Sequence, residues 1–193
     1  MTDYFVHERG LCESTEIGAR TRIWAFAHVL DGAVVGADCN ICDHAYVEGG
    51  VVLGDRVTVK NRVLLFDGVT IEDDVFLGPG VTFTNDTRPR AEVKKSGDAL
   101  TTTRVRKGAT LGAGVTIVCG HTVGTYAFVG AGAVVVTDLV PHGLYVGNPA
   151  VRRGWACACG SRLDDDLVCT CGRRYEPAGP DLETGGIRER GDE

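Results

Sequence analysis

The sequence predicts an all-β fold, a parallel β-helix of short strands and turns, and two observations lead to it. An apolar residue returns every six positions, and a small or β-branched residue follows most of these four positions later. Gly, Asp and Asn, which tolerate turn dihedrals, fall in between. A period this short and regular is typical of a parallel β-helix. The recurring positions are Ile17, Ile23, Val29, Val35, Ile41, Val47, Leu53, Val59, Leu65, Ile71, Leu77 and Phe83, and then Val105, Leu111, Ile117, Val123, Val129 and Val135.

Each six-residue unit corresponds to one strand and one turn, so three consecutive units close one triangular coil. Residues three units apart then stack at the inter-strand spacing of roughly 4.8 Å. Starting from Asp31, this arithmetic places Gly49, Asp67 and Asn85 in one column at one corner of the prism. It places His44 at a different corner.

The composition sets bounds on the fold and the partners. The 193 residues suggest one compact domain with a small appendage. A net charge of −6 gives no reason to expect nucleic acid or an anionic membrane as a partner. The first residues, MTDYFVHERG, contain no apolar signal-peptide core, and no apolar run approaches a membrane span. We therefore expect a cytoplasmic protein.

The repeat is interrupted once. The next periodic residue after Phe83 is Val105, much further along the chain than one unit of six. A loop within 84–104 is therefore expected to leave the prism at the corner of Asn85, and Cys119 is expected to stack near Asn85 in a later coil. Long loops on a rigid scaffold are often functional, and a plain solvated loop is the alternative.

The two ends of the chain fall outside the period. Residues 1–16 are expected to cap the first coil, because an exposed strand edge invites pairing. The prism itself is expected over 17–150 and a cysteine-rich element over 151–176. Residues 177–193 lack periodicity and are expected to be disordered.

The cysteine-rich element contains two C-x-C pairs, each followed by glycine. They comprise Cys157, Cys159, Cys169 and Cys171. Four thiolates suit a tetrahedral structural zinc site, although common zinc ribbons use C-x-x-C. Unliganded thiols or a disulfide are the alternatives. Without an export signal, reduced thiols or metal ligands are expected before disulfides.

Three segments resemble a known family: ICDHAYVEGGVVLGDRVTVKNRV, FDGVTIEDDVFLGPGVTFTNDTRPR and AGAVVVTDLVPHGLYVGNPAVRRG. The chain resembles the hexapeptide-repeat acyltransferases, and among them the N-acetyltransferases that act on the 3-amino group of nucleotide-linked aminosugars. The resemblance covers about residues 17–155. It implies a left-handed β-helix, a homotrimer, and acetyl-CoA bound between neighbouring prisms with a site shared by two subunits. The cysteine-rich element is similar to the zinc ribbons at the end of some of these enzymes.

The implied reaction needs a positioned amine, a donor to the oxyanion, and an acceptor for a proton. Asn85 is the first candidate to orient the amine or the thioester, because its amide both donates and accepts. The alternative is an asparagine that only adopts a turn conformation. Asp67 and Asp86 are close enough to share the site and attract the amino group. Arg88 and Arg90 of the loop are further candidate substrate contacts.

His44 is the candidate general base, because an imidazole titrates near neutral pH, and a substrate contact is the alternative role. Its corner differs from that of Asn85, so the two could meet only across a trimer interface. Glu48 is the other titratable candidate in this region. The resemblance also implies a route without a side-chain base, in which the leaving CoA sulfur takes the proton. His121, at the fifth position of its unit, is expected to point inward as a core or interface residue.

Small residues in the late coils are the candidate contacts for the cofactor. In the family such residues line the pantetheine arm, which implicates Gly112, Gly130, Ala131 and Gly132; ordinary turn glycines are the alternative. Arg152 and Arg153 could meet the phosphates of CoA as point charges.

Other functions remain to be weighed against acyl transfer to an aminosugar. A metal enzyme like the left-handed-helix carbonic anhydrases would need three histidines, two of them five residues apart, and no pair here has that spacing. An O-acetyltransferase, an N-acyltransferase for another small acceptor, and a non-catalytic scaffold stay open. The insert beside Asn85 argues against the scaffold.

Overall fold

A computed structural model, which describes residues 3–179 and 185–191, shows a parallel β-solenoid. Its strands, in chain order, are β1 Phe5–Val6, β2 Leu11–Cys12, β3 Glu16–Ile17, β4 Arg22–Ile23, β5 His28–Val29, β6 Val34–Val35, β7 Asn40–Ile41, β8 Tyr46–Val47, β9 Val52–Leu53, β10 Thr58–Val59, β11 Leu64–Leu65, β12 Val69–Ile71, β13 Phe76–Leu77, β14 Thr82–Phe83, β15 Thr103–Val105, β16 Thr110–Leu111, β17 Thr116–Ile117, β18 Thr122–Val123, β19 Phe128–Val129, β20 Val134–Val135, β21 Gly143–Val146, β22 Val151–Trp155, β23 Tyr175–Pro177 and β24 Ile187–Glu189. The helical segment that the described residues contain is a single 3₁₀ turn, Gly97–Ala99.

Three sheets form the faces of the prism, and their strands are parallel except for the antiparallel pair β21–β22. The first sheet has the order β1-β4-β7-β10-β13-β16-β19-β21-β22, the second β2-β5-β8-β11-β14-β17-β20, and the third β18-β15-β12-β9-β6-β3. Neighbours such as Arg22 and Asn40 pair across three six-residue units, as the repeat predicts. Across the interruption, Phe76 pairs with Thr110, so the strands keep their register while the insert is extruded. The prediction of an all-β parallel helix is confirmed.

Corners of the prism repeatedly contain a residue in the left-handed backbone region. Positive φ angles recur every six residues, at Arg20, Phe26, Gly32, Asp38 and His44 among others. A non-glycine residue in this region costs roughly 1–2 kcal/mol, so the sharp turn is held by the packing on both sides of it. The side chains of these residues leave the prism at the corners.

The core consists of aliphatic columns that run along the prism axis. In the first sheet, Ile23, Ile41, Val59, Leu77 and Leu111 stack from coil to coil and are all fully buried. The fifth residue of a unit, such as Val57 or Val63, is also buried. Each unit thus has two buried positions, the first and the fifth, which explains the two sets of apolar residues that recur every six positions in the sequence.

Residues 5–16, expected to cap the prism from outside the repeat, instead form its first coil. Phe5 pairs with Arg22 and Leu11 pairs with His28. In both pairs the partner is one position nearer in sequence than in the later coils, where Arg22 pairs with Asn40. This coil is therefore one residue shorter than the others and out of phase with the six-residue pattern, which is why the sequence period missed it.

The tail is also more ordered than expected. Ile187–Glu189 forms β24, which pairs antiparallel with Tyr175–Pro177, and Ile187 is buried in one cluster with Tyr175 and Leu163. The expectation of disorder is thus wrong for residues 185–191, while 180–184 and 192–193 lie outside the described residues. Within the described residues, no helix is long and apolar enough to cross a membrane.

Coil stacking leaves no room for a side chain at Gly36, and this can be tested. A Cβ atom there would overlap the carbonyl group of Gly54 in the next coil. Gly36→Ala should therefore lower the free energy of unfolding by about 1–3 kcal/mol, measured by urea denaturation. Gly80→Asn is the matched control, since its corner is open within 4 Å and asparagine tolerates the left-handed region at φ +71°. Equal losses in both variants would contradict the stacking argument.

Candidate functional site

The inserted loop leaves and rejoins the prism at the corner that Asn85 occupies. The Thr101 N–H donates to the Asn85 carbonyl oxygen at 2.9 Å, and the Thr103 N–H donates to the Gly68 carbonyl at 3.0 Å. The strand β15 begins at Thr103, so the part that projects is residues 86–100. Cys119 lies in the next coil of the same column, where its N–H donates to Thr84 Oγ1 at 3.0 Å. The loop is therefore closed by backbone hydrogen bonds directly beside Asn85.

A cavity of about 470 Å³ opens at this corner and collects acidic side chains from successive coils. Its lining includes the predicted residues Asn85, Asp67, Asp86 and Glu48. The remaining lining residues are Leu30, Asp31, Gly49, Lys95, Ser96 and Leu100. The predicted column thus brings four candidates together, and the loop covers them from one side.

Two of the carboxylates are positioned by local contacts. Glu48 Oε2 accepts a hydrogen bond from the Asp67 N–H at 2.8 Å. Asp67 leans over Gly50, where an added Cβ would overlap Asp67 Oδ1. The absence of a side chain at Gly50 therefore makes the space that the Asp67 carboxylate occupies.

Asp86 is held by the loop itself. Its Oδ1 accepts hydrogen bonds from the Arg88 N–H at 2.8 Å and from Lys95 Nζ at 2.5 Å. The Lys95 ammonium, followed by the Arg88 N–H, holds the pKa of Asp86 below its usual range. Asp86 therefore stays ionised at neutral pH and is a poor proton acceptor.

His44 lies apart from this cavity. It follows β7 of the first sheet, whereas Asn85 follows β14 of the second sheet, so the two occupy different corners of one chain. The His44 residue is exposed, and its ring stacks on Phe26 with a centroid separation of 4.9 Å. The sequence prediction that these two residues separate within one chain agrees with this arrangement.

His121, expected to point inward, does not belong to the closed core. Its side chain is 27% exposed, and Nδ1 lies 3.7 Å from Asp138 Oδ1. The core part of the expectation fails because His121 directly precedes β18, which is the edge strand of the third sheet, while a role at an interface stays a prediction. Beyond β18 the described residues add only an isolated bridge, Val123 to Leu139, so no complete strand covers this position.

The loop arginines lie outside the cavity lining. Arg88 and Arg90 are exposed, and Arg90 donates to the Pro89 carbonyl at 2.9 Å. Neither side chain lines the cavity of about 470 Å³. The structure therefore leaves both side chains out of the cavity lining, although the Arg88 charge contributes to the low pKa of Asp86.

The late-coil glycines divide into two kinds. At Gly112 a Cβ would lie 2.6 Å from the Ala131 nitrogen, and at Gly130 it would lie 2.8 Å from Val146 Cγ1. These two glycines are therefore required by the packing of the chain on itself. Ala131 and Gly132 are exposed at a corner, and Gly132 has open space within 4 Å. Of these four residues, only the latter pair presents exposed backbone to a ligand.

The two arginines at the end of the solenoid lie on β22. The Arg152 guanidinium sits 4.3 Å from the centroid of the Trp155 ring, a cation–π contact. Arg153 is exposed, and its carbonyl accepts a hydrogen bond from Arg162 at 3.2 Å. Arg153 therefore offers the more accessible of the two guanidinium groups.

The four cysteines of the C-terminal element converge. All four sulfur atoms lie within 4.8 Å of one another, with Cys157–Cys171 and Cys159–Cys169 each at 3.6 Å. Sulfurs around a tetrahedral zinc at about 2.3 Å would be separated by roughly 3.8 Å, which fits this arrangement. A disulfide needs about 2.05 Å, so the thiols are free.

The two halves of the cysteine element repeat one local structure. Gly160 and Gly172 have φ angles of +90° and +93°, and each donates its N–H to the first cysteine carbonyl of its pair at 2.9 Å. The N–H groups of Cys159 and Cys171 point at the sulfurs of Cys157 and Cys169, at 3.4 and 3.5 Å. The C-x-C-Gly spacing thus builds two knuckles that each present a pair of sulfurs.

An aromatic column joins this element to the solenoid. Tyr126, in a corner of the solenoid, stacks on His142 at 5.2 Å, and His142 meets Tyr175 edge-on at 4.9 Å. Tyr175 Oη donates to Cys157 Sγ at 3.2 Å and accepts from the Ala158 N–H at 2.9 Å. Burial lowers the pKa of His142, so the ring is neutral at physiological pH and donates from Nδ1 to the Ala156 carbonyl at 2.9 Å.

The chain is similar to known proteins both in its six-residue repeat and over most of its length. The family model of the bacterial transferase hexapeptide (six repeats) matches residues 14–49. A dTDP-3-amino-3,6-dideoxy-alpha-D-galactopyranose 3-N-acetyltransferase from Aneurinibacillus thermoaerophilus is 53% identical over 177 residues, which are 90% of this chain and 91% of that relative. The chain belongs to the hexapeptide-repeat acyltransferases, in the branch of the nucleotide-linked aminosugar N-acetyltransferases.

Solved structures show the same fold at lower identity. A hexapeptide-repeat acetyltransferase from Vibrio cholerae O1 biovar eltor, complexed with acetyl coenzyme A, is 24% identical with a TM-score of 0.55, over 64% of this chain and 70% of the other. The polySia-specific acetyltransferase NeuO is 20% identical with a TM-score of 0.53, over 85% and 87% of the two chains. At this level of identity, the two structures support only the fold of this acyltransferase.

Lys95 is the charged residue of the cavity lining that sequence reasoning did not single out. It belongs to an adjacent pair with Lys94, and nothing in the pattern of the loop distinguishes the two. In the structure, Lys94 is exposed while Lys95 turns back into the cavity of the acyltransferase. The path of the loop decides which of the two lysines enters the cavity, and the loop has no sequence repeat from which that path could be predicted.

The Tyr175 hydroxyl should contribute more to stability than the hydroxyl of Tyr126, at the other end of the aromatic column. Tyr175→Phe removes the acceptor of the Ala158 N–H and the donor to Cys157, which should lower the free energy of unfolding by about 1–3 kcal/mol in urea denaturation. Tyr126→Phe is the control, because the Tyr126 hydroxyl has no hydrogen-bond partner among residues 3–179 and 185–191. If the two variants lost the same stability, the hydroxyl contacts would not be what fixes this element.

Proposed function

We propose that this acyltransferase transfers the acetyl group of acetyl-CoA to the 3-amino group of a dTDP-linked 3-amino-3,6-dideoxyhexose. The observation that carries the proposal is the acidic cavity beside Asn85, at the single interruption of the repeat. The relative that is 53% identical over 90% of the chain acts, by its name, on such a sugar, which supports the choice of acceptor.

The charge of the cavity favours an amine over a hydroxyl as the acceptor. Four carboxylates, from Asp31, Glu48, Asp67 and Asp86, face one ammonium, from Lys95. An aminosugar is a cation in its resting state and is attracted to this excess of negative charge. A neutral sugar hydroxyl would gain nothing from it, so O-acetylation is the weaker alternative.

The bound ammonium first releases one proton to solvent water, and the neutral amine then attacks the thioester carbonyl. The new C–N bond produces a tetrahedral oxyanion, to which the Asn85 amide is proposed to donate. A single well-aimed donor is worth about 2.7–4 kcal/mol. The C–S bond then breaks, and the proton of the attacking nitrogen passes to the departing sulfur, giving an amide and free CoA. No dedicated side-chain base is needed on this route, consistent with the low basicity of Asp86.

We propose that the enzyme works as a homotrimer, in which the site of one chain is completed by another. The aromatic side chains along the second sheet support this. They form a ladder of His28, Tyr46 and Phe66, with ring separations of 6.0 and 5.9 Å. All three side chains stay partly exposed in the single chain, and aromatic residues are enriched at protein interfaces. Across such an interface His44 of one chain could contact the substrate held by another.

CoA is proposed to lie along the late coils. Ala131 and Gly132 present an exposed corner to the pantetheine arm, and Arg153 offers an exposed guanidinium to the phosphates. Gly112 and Gly130 are proposed to contribute indirectly, because their lack of a side chain lets the coils pack closely beneath Ala131 and Gly132. Arg152, beside Arg153 on β22, is proposed as a second cation for the phosphates.

The loop arginines are proposed to meet the nucleotide part of the acceptor. Arg88 and Arg90 are exposed on the segment that follows Asp86, outside the acidic cavity. A guanidinium binds phosphate through a fork of parallel N–H groups. The diphosphate of the sugar nucleotide is the group that these side chains would hold at the rim while the amine enters the cavity.

The cysteine cluster is proposed to hold one structural zinc ion. Four sulfurs would close the tetrahedral shell, so no position would remain for a substrate. The thiols that the ion needs persist in a reducing compartment, and we therefore propose a cytoplasmic location.

The acceptor can be tested directly with the purified protein. Release of CoA from acetyl-CoA is measured with a dTDP-linked 3-amino-3,6-dideoxyhexose, with the corresponding 3-hydroxy sugar nucleotide, and with free amino acids. Turnover with the amino sugar alone is the expected result. CoA release with the hydroxy sugar but not with the amino sugar would overturn the proposal.

Asn85→Ala should reduce kcat by about 10²–10³-fold, because it removes the donor to the oxyanion. The melting temperature should change little, since the Asn85 contact that closes the loop is made by its backbone carbonyl. Asn61→Ala is the matched control, an asparagine at the equivalent position of another corner. Undiminished turnover in Asn85→Ala would remove the residue from the mechanism.

Replacing Cys157 and Cys169 by serine should abolish metal binding, because one ligand is lost from each knuckle. Elemental analysis should find about one zinc per chain in the wild type and none in the double variant, with acetyl transfer retained at reduced thermal stability. Cys12→Ser serves as the control outside the cluster. A wild-type protein without zinc would contradict the assignment.

A further inference from the structure

We propose that Lys95 sets a fixed positive charge inside the acidic cavity, where it favours the neutral, nucleophilic form of the bound amine. This inference rests on the proposed function, because it concerns the amino group that the cavity is proposed to receive. Lys95 acts through its charge and is a positioning residue of the site.

The contacts of Lys95 fix its ammonium in place. Nζ lies 2.5 Å from Asp86 Oδ1 and 3.3 Å from the Arg88 carbonyl oxygen. The side chain of Lys95 is 25% exposed and that of Asp86 is 16% exposed. By contrast, Lys94 is exposed, and its side chain makes no hydrogen bond or ion pair within residues 3–179 and 185–191. Two adjacent lysines therefore have different environments, and only Lys95 faces the cavity.

The balance of charges in the cavity explains why a cation is useful there. The titratable groups that line it are Asp31, Glu48, Asp67, Asp86 and Lys95, and the Arg88 guanidinium outside the lining also acts on Asp86. Four carboxylates alone would bind an alkylammonium well but would also stabilise its protonated state, which cannot attack a thioester. A nearby like charge disfavours the charged form of a group. Lys95 thus offsets part of the field while leaving enough negative charge to attract the substrate.

The Asp86 carboxylate lies between the Lys95 ammonium and the proposed position of the substrate's amino group. Its Oδ1 is already occupied by the Arg88 N–H and by Lys95, while its other oxygen makes no hydrogen bond to residues 3–179 or 185–191. The Lys95 contact is the main reason that the pKa of Asp86 is low. Asp86 therefore accepts a hydrogen bond from the substrate's amine and does not remove its proton.

A purely structural role for Lys95 predicts something different. In that case the Lys95–Asp86 pair would only staple the loop, and its loss would loosen residues 86–100. The root of the loop, however, is closed by the hydrogen bond from Thr101 to Asn85, and Asp86 keeps its contact with the Arg88 N–H. The loop can therefore retain its path when the ammonium is removed.

The test compares Lys95→Met with Lys94→Met, a matched pair in which the same charge is removed one residue away. The pH dependence of kcat is measured for the full-length protein with acetyl-CoA and a dTDP-linked 3-amino-3,6-dideoxyhexose. Without Lys95 the bound amine should hold its proton more strongly, so the acid limb should move about one unit to higher pH. Turnover at pH 7 should then fall about tenfold, and Lys94→Met should match the wild type.

A conservative variant separates charge from shape. Lys95→Arg keeps the positive charge and should return the acid limb close to its wild-type position. As a readout that needs no substrate, NMR titration of the Asp86 carboxyl should show an upward pKa shift in Lys95→Met and none in Lys94→Met.

The possible outcomes discriminate between the two proposals. A wild-type enzyme that does not acetylate the aminosugar nucleotide would refute the proposed function, and the inference with it. Normal acetylation by the wild type, with an unshifted acid limb in Lys95→Met, would refute the inference alone. A lower melting temperature in Lys95→Met without a shift of the pH profile would assign Lys95 to the loop staple and likewise overturn it.

Discussion

The register between successive coils, three six-residue units, is the constraint on which the rest of the structure depends. Most strands are only a residue pair long, so a single strand pair contributes little and the stacked columns must act together. A shift by one residue would move a buried residue such as Ile41 to the outer face of its sheet. Because the register is fixed in this way, every corner becomes a column of side chains at a regular spacing. The solenoid therefore places functional groups at positions that follow from their spacing in the sequence.

The inserted loop uses this regularity without disturbing it. The strands on both sides keep their pairing partners, as Thr82 with Thr116 shows, although the insert now separates the partners along the chain. The entropy of closing a loop grows only slowly with its length, so an insertion at a corner costs little once its root is hydrogen-bonded. What the loop adds is charge. It brings Asp86 and Lys95 to the corner of Asp67 and Glu48 and turns an ordinary corner into an acidic cavity.

The C-terminal element solves a different problem, since it is too small to be stable by its core alone. Its buried cluster consists of Cys157, Leu163, Cys169, Tyr175 and Ile187. Domains of this size usually need a metal or disulfides in addition. The convergent sulfurs suit that need, and the column from Cys157 through Tyr175 and His142 to Tyr126 ties the cluster to the solenoid. The element is thereby anchored on the last coils, where an open strand edge would invite pairing.

The sequence by itself determined the parallel helix, its register, and the column of Asp67 and Asn85, because a strict period lets positions be counted. It also predicted that the two cysteine pairs could share one metal ion, and the structure brings their sulfurs together. Only the tertiary structure showed that residues 5–16 form a shortened first coil, that Ile187 returns to the cysteine element, and that Lys95 faces the cavity. These features lie where the period fails, and there the path of the chain is set by contacts between residues far apart in sequence. A repeat predicts where its own residues lie in the fold, but it does not predict the path of a segment that interrupts it.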